Sequence, residues 1–204
     1  MNLEPKRDSK ILSHQEERCQ AFKKEKVQPG SLLFMGDSII EFFSLKKFLG
    51  QDLKFLNHGI AGTSAHWLLE HVDQVLAGAQ PDQIFLLIGT NDIGMGFEVA
   101  EIVKTIEEIL NKLRRLSFGS RLTLISVLPV NEASQYAAKV KIRRNAKIQE
   151  LNQRLKELPG VDFADVYGVL LDEQGQLAEE YTQEGLHLTQ AGYEQLANAL
   201  KLYL

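Results

Sequence analysis

Cysteine is nearly absent from this chain of 204 residues, because Cys19 is the only one. A single cysteine excludes an internal disulfide and any metal site built from several cysteines. Cys19 lies in a polar N-terminal stretch, away from every strand end that the sequence predicts. We therefore interpret it as a structural thiol rather than a nucleophile.

Long hydrophobic runs and a basic charge excess are also missing. No stretch approaches the ~18 apolar residues that a membrane-spanning helix needs, and residues 1–10 are too polar for a secretory signal. The formal net charge is −4, and the basic cluster at residues 23–26 is short and interrupted by Glu25. We therefore expect a cytoplasmic protein with no membrane span and no nucleic-acid partner.

The composition is that of an ordinary globular domain, with 44% hydrophobic and 25% charged residues. The chain contains no repeat, low-complexity segment or linker. We therefore predict a single domain over residues 1–204, with an N-terminal helix at about residues 9–26 packed on it.

Short apolar runs alternate with longer segments of helical periodicity. Several runs are almost continuously apolar, which is typical of strands buried on both faces. This alternation predicts an α/β fold with a parallel sheet and helices on both faces. The predicted strands cover residues 31–35, 53–57, 83–88, 122–128 and 161–166.

Chemically useful side chains follow the predicted strands. Ser38 comes after the first strand, Gly62 lies in the turn after the second, and Asn91 follows the third. His187 precedes the last helix, with Glu184 three residues before it. Because the carboxyl ends of parallel strands share one edge of the sheet, we expect these residues to meet there.

Acyl transfer needs this set of groups. A serine hydroxyl becomes a nucleophile when a histidine takes its proton, and a carboxylate orients that histidine. We therefore predict Ser38, His187 and Glu184 as the catalytic residues. The backbone N–H groups of Ser38 and Gly62 and the side-chain amide of Asn91 are the predicted oxyanion hole, in which each donor is worth roughly 3 kcal/mol of barrier.

The same residues resemble the motif blocks of the SGNH hydrolases, also called the GDSL-type lipase or acylhydrolase family. The resemblance runs from the first predicted strand to the last helix. Within the family, the helical segment before that strand and Leu56-Asn57-His58-Gly59-Ile60 are most similar to the platelet-activating-factor acetylhydrolase catalytic subunits and their bacterial relatives. The matching blocks are Gly36-Asp37-Ser38, Asn57-x-Gly59-Ile60-x-Gly62, Gly89-x-Asn91-Asp92, and His187 followed by Leu188-Thr189 and Gly192-Tyr193.

This resemblance implies a flavodoxin-like three-layer α/β/α sandwich with a five-stranded parallel sheet. It also implies a serine esterase that acts on a small-molecule ester, favours short acyl groups such as acetyl, and needs no metal or organic cofactor. The last glycine of the second block, Gly62, and the asparagine of the third, Asn91, would complete the oxyanion hole.

The sequence departs from the family at one position. The last block usually reads Asp-x-x-His, whereas Glu184 stands at the aspartate position here. Glutamate is longer by one methylene, so its carboxylate must approach His187 by a different rotamer. We expect Glu184 to orient the imidazole; the alternative is that His187 contacts a backbone carbonyl while Glu184 faces solvent.

Two other classes of function remain as alternatives. A metal-dependent phosphoesterase would use Asp37, Asn91 and His187 as ligands, although such enzymes need further histidines and aspartates. A non-catalytic binding module on the same fold is the other, although no phosphate-binding glycine fingerprint follows the first strand. Exposed apolar residues on the N-terminal helix leave a homodimer open.

Overall fold

The nearly continuous apolar runs form the strands of a central sheet, since strands covered on both faces have no polar side. The computed structural model describes residues 9–204; residues 1–8, which the domain and signal predictions included, lie outside the described part. The strands are β1 (Ser31–Gly36), β2 (Lys54–Gly59), β3 (Gln83–Leu87), β4 (Arg121–Ile125) and β5 (Asp162–Ala164).

Helices precede, connect and follow these strands. They are α1 (Ser9–Phe22), α2 (Ser38–Glu41), α3 (Leu45–Leu49), α4 (Ala65–Leu76), α5 (Thr90–Met95), α6 (Val99–Leu116), α7 (Ala137–Val140), α8 (Asn145–Lys156) and α9 (Gln190–Leu200), with short 3-10 turns at Ser134–Tyr136, Gly168–Leu170, Glu179–Tyr181 and Lys201–Tyr203.

The five strands form one parallel sheet in the order β2-β1-β3-β4-β5. This confirms the α/β fold with a five-stranded parallel sheet. The strand order reverses between β1 and β3, and open α/β sheets bind ligands past the carboxyl ends of the strands at such a point. Ser38 follows β1 and Asn91 follows β3, so both residues lie at this reversal.

Alternate residues of β1 enter two separate hydrophobic cores. Leu33 and Met35 pack into the core formed with α1, α4, α6 and α8, whereas Leu32 and Phe34 pack into the core formed with α3 and α9. Burying one such side chain fully contributes roughly 1.5–3 kcal/mol. Helices on both faces therefore hold the sheet in the middle layer of a three-layer fold.

Strand β4 ends at Ile125, earlier than the predicted end at residue 128. The backbone N–H of Val127 donates to Oδ1 of Asn152 over 2.8 Å, and Nδ2 of Asn152 donates to the Val127 carbonyl, also over 2.8 Å. A side-chain amide thus satisfies the backbone where a neighbouring strand would otherwise do so. The hydrophobic periodicity of the sequence does not show that a side chain takes the place of a strand here.

Helix α1 ends at Phe22 rather than near residue 26. Its buried residues are Gln15, Cys19 and Phe22, and the charged residues after Phe22 offer no apolar side chain to pack. Ile11 and Leu12 are exposed on this helix, and the homodimer stays a prediction. No helix within residues 9–204 combines the length and apolar character required to cross a bilayer.

Candidate active site

Ser38 is the first residue of α2, directly after the turn that ends β1. The Asp37 side chain caps this helix by accepting a hydrogen bond from the backbone N–H of Ile39 over 2.9 Å. Gly36 leaves room for the turn, because a Cβ there would lie 2.2 Å from the carbonyl oxygen of Leu87 in the neighbouring strand. These contacts fix the backbone that presents the Ser38 hydroxyl.

His187 contacts Ser38 from the far end of the chain. The distance between Ser38 Oγ and His187 Nε2 is 2.8 Å, although the two residues are separated by 149 positions. On the other side of the ring, His187 Nδ1 lies 2.9 Å from Oε1 of Glu184. With Nδ1 protonated, Nε2 is left to accept the serine proton.

Oε1 of Glu184 accepts a second hydrogen bond, from the backbone N–H of His187 over 2.7 Å. The loop that carries both residues is held by Thr182, whose hydroxyl donates to the His187 carbonyl and accepts from the N–H of Gly185. Gly185 has φ +85°, a conformation that favours glycine. This tight turn brings the longer glutamate side chain to the imidazole.

Gly62 and Asn91 line the same cavity as Ser38 and His187. Gly62 has φ +77° and follows β2. Asn91 is the second residue of α5, and its Nδ2 donates one hydrogen bond to the carbonyl of Thr63 over 2.8 Å. An amide nitrogen carries two hydrogens, so a second donor remains on Nδ2.

Arg143 orients the Asn91 side chain, although no motif in the sequence marks this arginine as a functional residue. Its Nη2 donates to Oδ1 of Asn91 over 3.0 Å, and its Nε donates to the Thr90 carbonyl over 2.9 Å. Arg143 is buried, with 7% of its surface exposed, and follows α7 in a segment without a recognisable motif. The sequence offers no signal that separates it from its exposed neighbour Arg144.

Gly94 provides the space that the Arg143 guanidinium occupies. A Cβ at position 94 would lie 2.3 Å from Nη2 of Arg143, closer than any real contact. Gly94 lies in α5 beyond Asn91, so one short helix carries both the amide and the space for its partner.

Helix α1 forms one wall of the cavity through Ile11 and His14. His14 Nε2 lies 2.9 Å from Oε2 of Glu41, the last residue of α2. The same oxygen accepts from the backbone N–H of Ala61, and Arg18 donates to the Gly59 carbonyl over 3.0 Å. The N-terminal helix thus contributes to the site as well as to the core.

The cavity has a volume of about 560 Å³ and contains both apolar and cationic side chains. Phe42 is one of its apolar residues, with its ring centroid 5.6 Å from that of His187. The lining residues are Lys10, Ile11, His14, Ser38, Phe42, Ala61, Gly62, Asn91, Gly94, Met95, Lys139, Lys141, Arg143, Leu186 and His187.

Burial lowers the pKa of His187 from its ordinary value of 6.5. The Glu184 carboxylate opposes this shift, while the positive charges of Lys139 and Arg143 reinforce it. The imidazole is therefore neutral, and able to accept a proton, over a wider range of pH than an exposed histidine.

The polar side chains named in the phosphoesterase alternative make other contacts in this structure. Asp37 is wholly buried and caps α2, and Asn91 contacts Arg143. Across the described range 9–204, no three side chains of His, Cys, Asp or Glu are arranged to hold a metal ion.

Other polar side chains close to the site in sequence make structural contacts. Asp92 accepts from the N–H of Ala65 over 2.8 Å and lies 2.9 Å from Nδ1 of His66, which links α5 to the start of α4. His58 is buried and stacks on Phe22 with 4.0 Å between the ring centroids. Neither histidine reaches the cavity.

Residues 34–195 match the model of the GDSL-like Lipase/Acylhydrolase family. A solved structure from Streptococcus pneumonia, whose description names platelet activating factor, is 40% identical with a TM-score of 0.89, covering 95% of this chain and 94% of that one. A GDSL-like lipase structure from Bacteroides thetaiotaomicron has a TM-score of 0.80 at 20% identity, over 94% of this chain and 97% of that one, and shows a common fold.

Curated relatives are more distant in sequence. The N-acylneuraminate cytidylyltransferase of Escherichia coli is 28% identical over 83% of this chain, which spans 39% of that protein's length. The isoamyl acetate-hydrolyzing esterase 1 homolog of Bos taurus is 27% identical over 82% of this chain and 78% of its own length. The chain therefore spans about two fifths of the cytidylyltransferase and most of the esterase.

Proposed function

We propose that this chain, which belongs to the GDSL-like lipase/acylhydrolase family, is a serine esterase with Ser38, His187 and Glu184 as its catalytic triad. The reaction proceeds through an acyl-enzyme intermediate on Ser38. The substrate is a small-molecule carboxylic ester with a short acyl group.

In the first half of the reaction, Ser38 Oγ attacks the ester carbonyl carbon while His187 Nε2 takes the hydroxyl proton. The carbonyl oxygen becomes an oxyanion, which accepts hydrogen bonds from the N–H groups of Ser38 and Gly62 and from Asn91 Nδ2. The bond from carbon to the leaving oxygen then breaks. Nε2 gives its proton to the leaving alcohol, and the acyl group stays on Ser38.

In the second half, His187 Nε2 takes a proton from water, whose oxygen attacks the acyl carbon of the ester on Ser38. The second tetrahedral intermediate uses the same three donors. When it collapses, Nε2 returns the proton to Ser38 Oγ and the carboxylic acid leaves. Throughout, Glu184 keeps Nδ1 protonated and stabilises the imidazolium that forms in each half.

The observation that carries this proposal is the 2.8 Å separation of Ser38 Oγ and His187 Nε2, with Glu184 Oε1 2.9 Å behind the ring. A nucleophile, a base and a group that orients the base within hydrogen-bond distance form the arrangement that activates a serine hydroxyl. Gly62, Asn91 and Phe42 border the same cavity, so an ester there would meet the donors and an apolar surface.

The preference for a short acyl group has separate support. The name of the Bos taurus relative refers to hydrolysis of isoamyl acetate, an acetate ester. We extend that acyl class to this chain as part of the proposal. Turnover of p-nitrophenyl acetate by the wild-type protein and by Ser38→Ala tests the esterase proposal, and equal rates would remove Ser38 from the mechanism.

Changing Glu184 to glutamine is expected to lower kcat about ten- to a hundredfold and to shift the acidic limb of the pH profile downward. Activity needs neutral His187 and therefore rises with pH through the pKa of His187. The Glu184 charge raises that pKa, so its removal moves the limb to lower pH while the imidazolium loses its partner. The profile of kcat/KM against pH measures both effects.

Glu173→Gln is the matched control, since Glu173 is exposed and outside the cavity lining. We expect its pH profile to overlay that of the wild type. If Glu184→Gln kept both the wild-type kcat and the wild-type acidic limb, the acid role would belong to another group.

Changing Gly94 to alanine is expected to lower kcat about tenfold or more with little change in KM. The new Cβ would overlap Nη2 of Arg143, so the guanidinium must move away from Oδ1 of Asn91. The Asn91 amide then loses the partner that fixes its orientation toward the oxyanion. Because the oxyanion forms after substrate binding, the loss falls on kcat, which steady-state kinetics measures.

Gly168→Ala controls for the substitution itself, because a Cβ at position 168 meets no atom within 4 Å. This variant should keep the wild-type kcat. The free energy of unfolding, measured in urea, should be similar for both variants and the wild type, since the atom displaced at position 94 is the end of a flexible side chain. A wild-type kcat in Gly94→Ala would show that Arg143 does not position Asn91.

A further inference from the structure

Cationic side chains line the cavity around Ser38 and His187, although the chain as a whole carries a formal net charge of −4. Lys139, Lys141 and Arg143 come from one short segment at the end of α7. Within residues 9–204, no aspartate or glutamate is among the lining residues. The site is thus a positively charged region of an acidic protein.

The Arg143 guanidinium is buried without a carboxylate of the described chain within 4.0 Å. Its contacts are the side-chain oxygen of Asn91 and the carbonyls of Thr90, Lys139 and Val140. A guanidinium has five N–H donors, so these four contacts leave one N–H, on Nη2. A buried cation is costly unless an anion compensates it, and the cavity is where that anion would come from.

Asp37 compensates Arg143 only in part. Its charge acts on the guanidinium, but burial raises the pKa of Asp37 to about 7, so near neutral pH this carboxyl is partly protonated. The Asp37 carboxyl accepts a hydrogen bond from the N–H of Ile39 rather than from Arg143. The positive charge beside Asn91 therefore persists.

Lys139 and Lys141 add to this charge. Both are exposed, and no carboxylate of residues 9–204 lies within 4.0 Å of either ammonium group. Lys141 has φ +56°, a strained conformation for a side chain of its size, and strain of this kind is concentrated at functional sites. Lys139 and Arg143 line the same cavity as His187, and the charges of both lower the pKa of its imidazole.

We propose that the natural ester carries an anionic group, a carboxylate or a phosphate, that binds between Arg143 and the two lysines Lys139 and Lys141. Since Nη2 of Arg143 contacts the side chain of Asn91, the anion lies a few bonds from the acylated oxygen. This inference rests on the proposed esterase function and adds the substrate class: a short-chain acyl ester of a hydroxy acid or of a phosphorylated alcohol.

Matched aryl acetates test the inference, because they share one acyl group and one ring. The probes are 3-acetoxybenzoate, 3-acetoxyphenyl phosphate and the neutral 3-acetoxybenzamide, each assayed for kcat/KM at low ionic strength. We expect at least one anionic probe to exceed the neutral probe about tenfold or more in the wild type, and the ratio to fall as salt screens the charges. The larger of the two anionic ratios identifies the group that the site prefers.

The double variant Lys139→Gln/Lys141→Gln should lose most of this preference for the anionic probe. Lys104→Gln/Lys156→Gln removes the same charge from exposed positions outside the cavity lining and should keep it. Equal kcat/KM for neutral and anionic probes in the wild type would overturn the inference, and so would a preference that survives loss of both cavity lysines. Either result leaves the esterase proposal intact if turnover of p-nitrophenyl acetate still depends on Ser38.

Discussion

Replacing Ser38 by alanine is expected to lower kcat/KM for p-nitrophenyl acetate by a factor of about a thousand or more. The hydroxyl is the proposed nucleophile, and no other cavity side chain among residues 9–204 has both a hydroxyl and a histidine within hydrogen-bond distance. Without it, the reaction must use a water molecule that neither Gly62 nor Asn91 positions. The donors for the oxyanion remain, so a residual rate above that in solution should persist.

The effect should be one on chemistry rather than on folding. Among residues 9–204, the Ser38 hydroxyl forms a hydrogen bond with His187 alone, and alanine suits the first turn of α2. The circular dichroism spectrum and the urea midpoint should match the wild type. A fluorophosphonate probe should label the wild-type protein at Ser38 and leave the variant unlabelled.

Ser44→Ala is a suitable control, because Ser44 is exposed and its side chain makes no capping hydrogen bond in α3. It should keep both activity and labelling. Wild-type turnover by Ser38→Ala, with the label still attached to the protein, would place the nucleophile elsewhere and end the triad proposal.

Replacing Asp37 by asparagine is expected to stabilise the protein at alkaline pH. Burial raises the pKa of Asp37 from 3.8 to about 7, opposed by the hydrogen bond from Ile39. Its Oδ2 has no hydrogen-bond partner in the part of the chain that the structure describes. The folded state therefore holds a proton that the unfolded chain has lost. Folding stability falls as pH rises from about 4 to about 7, and the loss is complete above that range.

The pKa values of 3.8 and about 7 correspond to a penalty of about 4 kcal/mol above pH 7. Asparagine keeps the acceptor for the Ile39 N–H but never ionises. Between about pH 5 and about pH 8, the stability advantage of Asp37→Asn over the wild type should grow by about 2 to 3 kcal/mol. Because this is a comparison of unfolding free energies at two pH values, the pH-independent cost of burying an amide cancels.

Urea denaturation at both pH values measures the effect, with Asp52→Asn as the exposed control. We expect the control to lack the growing advantage, because an exposed carboxyl stays solvated when it ionises. A constant difference between Asp37→Asn and the wild type across this range would mean that Asp37 ionises as readily in the folded protein as in the unfolded chain.

Most of the fold could be predicted from the sequence because strand and helix periodicity are local. The run Leu32–Phe34 is apolar on every residue, and its neighbours in the sheet have the same character, so burial on both faces was the expected outcome. The end of β4 could not be predicted, because Asn152 satisfies the Val127 backbone from a distant helix. Hydrogen bonds to distant side chains leave no periodic signal.

The candidate site divides in the same way. Ser38, Asn91 and His187 stand in short motifs, because a turn after a strand requires particular residue types at fixed spacing. Arg143 and the wall formed by Ile11 have no such motif. They reach the cavity because α1 and the segment after α7 pack beside the sheet edge, which no local pattern specifies.

Glu184 illustrates the limit most clearly. Its spacing from His187 was compatible both with a bond to the imidazole and with a side chain turned to solvent, since both rotamers suit one stretch of sequence. In the structure, the loop held by Thr182 places Oε1 2.9 Å from Nδ1. The glutamate carboxylate therefore contacts the ring, and the catalytic role of Glu184 stays a prediction.

By itself, the order of residues determined a parallel α/β sheet and the types of group at its carboxyl edge, since both follow from contacts among near neighbours in the chain. Tertiary packing alone decided that a hydroxyl and an imidazole 149 positions apart come within 2.8 Å, and that a buried guanidinium lies beside them. Such distances depend on how whole elements pack against one another, and each is a sum of many weak contacts that no short segment encodes.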